Sequence, residues 1–195
     1  MAKLNFTPIK QSPTMEAIAL EELKYPAGKF KKPETYTLQD IQDRIKIIHD
    51  LPAALSKEVT GLDEETLNYL HRPDGWTIRQ LVHHLADSHM NAFIRTKLAL
   101  TENNPTIKPY VESEWAKLID GDEAPVDWSL KILEGVHNRW AMLLPTIKGA
   151  DLERTVMHPE YNRQMTISYL IFLYSWHCGH HIAHIRNAKK FKNKF

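Results

Sequence analysis

Imidazole is the side chain that gives this sequence its chemistry. Eleven of 195 residues are histidine, and they are grouped rather than scattered. Trp176-His177-Cys178-Gly179-His180-His181-Ile182-Ala183-His184 crowds four into one predicted helix, and His83, His84 and His89 lie in another helix far earlier in the chain. Neutral imidazole is a common protein ligand for transition metals, and two of them at i and i+4 on a helix point the same way. A third from a neighbouring helix would complete a site of the catalytic type.

Written as a heptad, the last helix has a packing seam of Ile167, Leu170, Tyr174, His177 and His181, continued by Ile185. A polar ring on such a seam must find a partner or cost a few kcal/mol. His180 and His184 form a rival pair at the same spacing, on a stripe that continues through Leu173 and Trp176. Both pairs cannot face one ion. In the earlier helix Ile78, Leu81, Leu85, His89 and Ala92 define the apolar side, which favours His89. His84 lies on a polar shoulder with Ser88, Asn91 and Arg95, readable either as a hydrated boundary or as the wall of a polar cavity. Spacing alone leaves His83, His84 and His89 open as the third ligand.

Four long helices must carry these residues. Thr37 is a plausible N-cap for the first, with Ile41, Ile45, Ile48, Leu55 and Val59 at helical spacing, a kink expected at Pro52 and an end at Gly61. After the breaker Arg72-Pro73-Asp74-Gly75, the pattern Thr77-Ile78-Arg79-Gln80 reads as a capping box that opens the second, running to about Thr101. A long connector follows from Glu102 to Asp127, with a short helix expected around Ser113 to Ile119; loops of this length are often functional. The third helix spans about Trp128 to Leu144, and Thr166 can cap the fourth, which continues to about Lys190. No convincing alternating strand is present. The expected fold is an all-α four-helix bundle over 37–195 with a long crossover loop, preceded over 1–36 by a proline-punctuated arm, extended or partly disordered.

Composition narrows the function. Lys and Arg total 25 against 24 Asp and Glu, so the basic field that nucleic-acid binding requires is missing. The lone Cys178 excludes an intrachain disulfide and a cysteine-based zinc knuckle, which fits a reducing cytoplasm. The start of the chain leads into no signal-like apolar region, and the longest apolar stretch, Ile167 to Trp176, falls short of the roughly 20 residues that span a bilayer. No membrane or nucleic-acid partner is expected.

Tyr25-Pro26, the run Gly75-Trp76-Thr77-Ile78-Arg79-Gln80-Leu81-Val82-His83-His84-Leu85-Ala86-Asp87-Ser88-His89-Met90-Asn91, the run Arg95 to Glu102, and Trp176-His177 through His181 to His184-Ile185 closely resemble the YfiT-type metal-dependent hydrolases of the DinB-like superfamily. The likeness covers about 22–186. It implies a DinB-like bundle holding one divalent metal per subunit, zinc or nickel, on three histidines that align with His84, His177 and His181. It also implies a small-molecule substrate and a cytoplasmic homodimer, and relatives in the superfamily transfer low-molecular-weight thiols such as bacillithiol. Three imidazoles leave an open coordination position. Cys178 and Gly179 stand where a His-Glu-x-x-His zincin carries its glutamate, so a resident general base is missing from that helix. Asp87, one turn after His84, is then a candidate to orient a ligand imidazole or take a proton, and Arg95 to hold a carboxylate of a thiol cosubstrate.

Overall fold

The computed structural model describes residues 15–195, with side chains from residue 20 onward. Its first element is α1, Met15–Lys24. The arm is therefore helical over these ten residues, where an extended chain was expected, and residues 1–14 lie outside the described part. From Met15 to Lys24 the segment is built from Met, Glu, Ala, Leu, Ile and Lys, mostly strong helix formers. The rest of the arm runs along the last helix, with Phe30 edge-on to Tyr169 at 5.4 Å and the Trp176 Nε1–H donating to the Gly28 carbonyl at 3.0 Å.

Four long helices form the bundle: α2 (Leu38–Val59), α4 (Ile78–Thr101), α7 (Val126–Leu143) and α8 (Ile167–Phe191). Local chemistry sets three of their starts. Thr37 forms a capping box with Asp40, Thr77 forms one with Gln80, and the Thr166 hydroxyl accepts from the Tyr169 N–H. Along α2, Ile41, Ile45, Ile48, Leu51, Leu55 and Val59 are buried at steps of three and four; the helix continues through Pro52 to Val59, and Gly61 follows its end with φ +78°.

Packing fixes the topology. α2 and α4 each lie against both α7 and α8, so α2 and α4 occupy opposite corners and the chain crosses the bundle between them. Simple up-down-up-down neighbours are thereby excluded. The connector from α2 to α4 holds a single turn, α3 (Glu64–Leu67), capped by Asp63, and returns through an isolated bridge between Leu70 and Thr77. Gly75 is required there, because a Cβ would stand 2.5 Å from the His71 ring. The connector from α4 to α7 carries two single turns, α5 (Glu112–Trp115) and α6 (Ile119–Asp122), where one short helix was expected.

Among the described residues a small hairpin departs from the helical pattern. β1 (Thr155–His158) pairs antiparallel with β2 (Arg163–Thr166), turning at Asn162 with φ +43°. It pins the long connector: the Ile107 N–H donates to the Met157 carbonyl at 3.0 Å and the Met157 N–H to the Pro105 carbonyl at 2.9 Å. Among the described residues no helix is long and apolar enough to cross a membrane.

Candidate metal centre

α4 and α8 run side by side and bring their histidines face to face. The His84 Nε2 lies 3.3 Å from the His177 Nε2, which lies 3.0 Å from the His181 Nε2. One nitrogen from each of the three rings falls within 4.8 Å of the others, and among the described residues this is the group of His, Cys, Asp or Glu side chains that meets in this way. His84 and His181 are buried, and His177 keeps partial exposure. Burial holds the His84 imidazole at a pKa of about 4, and enclosure keeps His177 and His181 well below the usual 6.5, so the rings are neutral near pH 7.

The hydrogen bonds behind the cluster allow one consistent set of tautomers. With each Nε2 lone pair aimed inward, His177 donates from Nδ1 to the His89 Nε2 at 3.1 Å. His181 donates from Nδ1 to the His184 Nδ1 at 3.5 Å, and His184 from Nε2 to the Lys24 carbonyl at 3.3 Å. Facing lone pairs at such separations repel unless a proton or a cation lies between them. Imidazole nitrogens on one tetrahedral ion, at about 2.0–2.1 Å each, stand about 3.3 Å apart. The donor set thus fits a divalent cation in type, protonation and spacing.

The remaining histidines divide by what they touch. His83 is tied off structurally: its Nδ1 meets the Ser129 hydroxyl at 2.8 Å, and its Nε2 donates to the Ala124 carbonyl at 3.0 Å. His89, fully buried, stands behind His177 and stacks on His137 at 4.9 Å. His184, of the rival pair, backs His181, while His180 stacks on Trp176 at 4.4 Å. His71, His137 and Trp76 also belong to this neighbourhood, and nothing in their spacing marks them as part of it. Trp76 packs 4.7 Å from the His84 ring, His71 packs 4.3 Å from His184, and His137 donates from Nδ1 to the Ile48 carbonyl.

Asp87 and Arg95 are placed differently from the three imidazoles. Asp87 is half-buried, with its carboxyl pushed up to about 6 by burial and by Asp120, and its side chain makes no hydrogen bond to any ring of the cluster. His89, across from His177 on α4, and His184, one turn after His181 on α8, are the rings hydrogen-bonded behind the cluster. Arg95 stands above the cluster, its Nη1 donating to the Tyr174 hydroxyl at 3.3 Å; the Tyr174 ring in turn lies 5.7 Å from His177. Cys178 is buried, which raises its thiol far above the usual range and leaves it a core residue.

Known proteins share this architecture. A family profile described as the DinB superfamily matches residues 47–185. A protein of Geobacillus thermodenitrificans named "Putative metal-dependent hydrolase" is 44% identical over 173 residues, covering 89% of this chain and 97% of its own. A Bacillus cereus protein of the same name is 47% identical over 171 residues, covering 88% and 98%. The solved structure of YfiT from Bacillus subtilis, described as "a probable metal-dependent hydrolase with an unusual four-helix bundle topology", matches with a TM-score of 0.85 at 39% identity, over 88% of this chain and 98% of that one.

Proposed function

We propose, from the premise that this chain belongs to the DinB superfamily, that it is a metal-dependent hydrolase acting on a small molecule, with His84, His177 and His181 as the ligands of one divalent cation. The convergence of three neutral Nε2 atoms at 3.0 and 3.3 Å carries this reading. Zinc is the proposed ion, and nickel the alternative, because imidazole serves both. When bound, the ion supplies Lewis acidity, polarising a carbonyl or lowering the pKa of a water or thiol.

The chain's own residues do the rest. His89 and His184 fix the ring planes of His177 and His181, Trp76 covers one side of His84, and the partly exposed side of His177 is where a substrate approaches. Arg95, beside that approach, orients the substrate.

A second reading, transfer to a low-molecular-weight thiol such as bacillithiol, is favoured by one observation. Among the described residues no carboxylate is hydrogen-bonded to the cluster, so hydrolysis lacks a general base at the place where one is usually found. A thiol that loses its proton on binding has less need of one. The proposal of a cytoplasmic homodimer rests on the family resemblance.

The test is to offer metal-loaded protein generic ester and amide substrates and, separately, bacillithiol with an electrophile. Turnover of the esters or amides is the expected result. Product in the thiol assay alone replaces hydrolysis by thiol transfer. Silence in both, with a large loss of melting temperature on chelation, makes the ion a structural brace and the chain a non-catalytic metal-binding module.

A further inference from the structure

A cavity of about 350 Å³ lies one side chain removed from the imidazole cluster, with Trp76 between the two. Trp76 lines it while packing on His84, and Arg95 lines it while bonded to Tyr174, the neighbour of His177. Its other walls come from the pinned connector, through Tyr110 and Glu112, and from the hairpin, through His158 and Glu160.

Two features of this lining point to a ligand. Arg95 Nε, Tyr110 Oη and His158 Nδ1 are each buried without a protein partner, and His158 is only 6% exposed. Buried polar groups are normally paired, so three unpaired ones around one cavity call for an explanation. The His158 ring is held in place by stacking on Tyr161 at 4.3 Å. Glu112 and Glu160 face the same space, and neither is ion-paired with Arg95 or with any other described cation. A guanidinium and two carboxylates that share a cavity without touching leave both signs of charge available. A simple anion would meet two carboxylates, and a simple cation would leave Arg95, Tyr110 and His158 unanswered. A ligand carrying both charges answers the whole set.

We infer that this cavity recognises a zwitterionic head group of the α-amino-acid type, its carboxylate taken by Arg95 with Tyr110 and His158 and its ammonium by Glu112 and Glu160. Arg95 suits the carboxylate because its fork can present two parallel N–H groups. The inference deepens the proposed function and rests on it for one point: the remainder of the substrate passes Trp76 to reach the cation site.

Binding can be read without turnover. Metal-free full-length protein is titrated with norleucine, norleucinamide, which lacks the carboxylate, and N-acetylnorleucine, which lacks the ammonium. Norleucine is expected to bind in the millimolar range or better, and each blocked analogue at least about tenfold more weakly, the loss of about 1.4 kcal/mol that one charged contact supplies. Arg95→Gln should weaken norleucine and leave norleucinamide unchanged; Glu112→Gln should weaken norleucine and leave N-acetylnorleucine unchanged. Arg95→Lys, which keeps the charge without the fork, should fall between wild type and Arg95→Gln, and circular dichroism on each variant checks the fold. Equal affinity for the three probes, no binding of norleucine, or an Arg95→Gln protein that binds it as well as wild type overturns the inference. Metal uptake, measured by reloading each of these proteins with zinc, separates the two readings. Selective norleucine binding by a chain that takes up no metal sinks the metalloenzyme and keeps the cavity, and the reverse pattern does the opposite.

Discussion

The two halves of α8 present opposite solutions to burial. From Ile167 to Phe172 the helix fills the bundle with Ile167, Leu170 and Ile171, each no more than 1% exposed, and these side chains ask nothing of their neighbours but contact. From His177 to His184 the same helix buries polar rings whose nitrogens must be answered one by one, by His84, His89 and the Lys24 carbonyl. The first half stabilises by removing apolar area from water. The second is arranged at some expense in stability, as groups kept for function often are. Fold and site should therefore be separable by mutation, even though they share one helix.

The sharpest way to break that separation is through the ligands. His181→Ala should reduce bound metal from stoichiometric to near zero and activity by about a thousandfold or more, since three ligands become two; metal analysis beside kinetics reads both. Full metal content in this variant contradicts the assignment. Leu170→Ala, in the aliphatic half, should do the converse. It should lower unfolding free energy by about 2–5 kcal/mol in a denaturant titration, with metal content unchanged.

Finer effects sharpen the same contrast. His89→Phe and His184→Phe keep a ring but remove the acceptor behind His177 and His181. Competition with a chromophoric chelator should show metal affinity about 10–100-fold weaker, with stoichiometric binding recovered at excess metal; wild-type affinity would mean that these rings only fill space. Acid offers a further contrast. Burial holds His71 and His137 at about 4 against 6.5 for the exposed side chain. Their neutral forms stabilise the native state fully above pH 6.5, and that contribution is lost as pH falls toward about 4, because the unfolded chain takes up protons first. Melting temperatures of chelated protein should decline through this interval, and a flat profile would remove these rings from the neutral core.

What could be read from the chain followed from how local each signal is. The caps at Thr37, Thr77 and Thr166 are decided within four residues, and so the starts of α2, α4 and α8 stood where expected. The hairpin escaped notice because strands of four residues, one of them mostly exposed, carry too little alternation to register. α1 was hidden by the prolines on either side of it. The choice between His84 and His89 defeated the helical wheel for a physical reason: between Ile78 and Ala86 every residue of α4 but Gln80 is buried, leaving almost no polar face to contrast with. Both rings point inward, one to the cluster and one behind it. Family resemblance, not periodicity, singled out His84. Tyr110, Glu112 and His158 gave no signal at all, since only the bridge between the connector and the hairpin brings them beside Arg95.

Three imidazoles sharing one ion, with a side of it left open, would be seen by anomalous diffraction from crystals of the metal-loaded protein. A single peak is expected about 2.0–2.1 Å from the Nε2 atoms of His84, His177 and His181, with no fourth protein donor. A peak elsewhere, such as among His71, His180 and His184, or a fourth side chain closing the sphere, would contradict that arrangement.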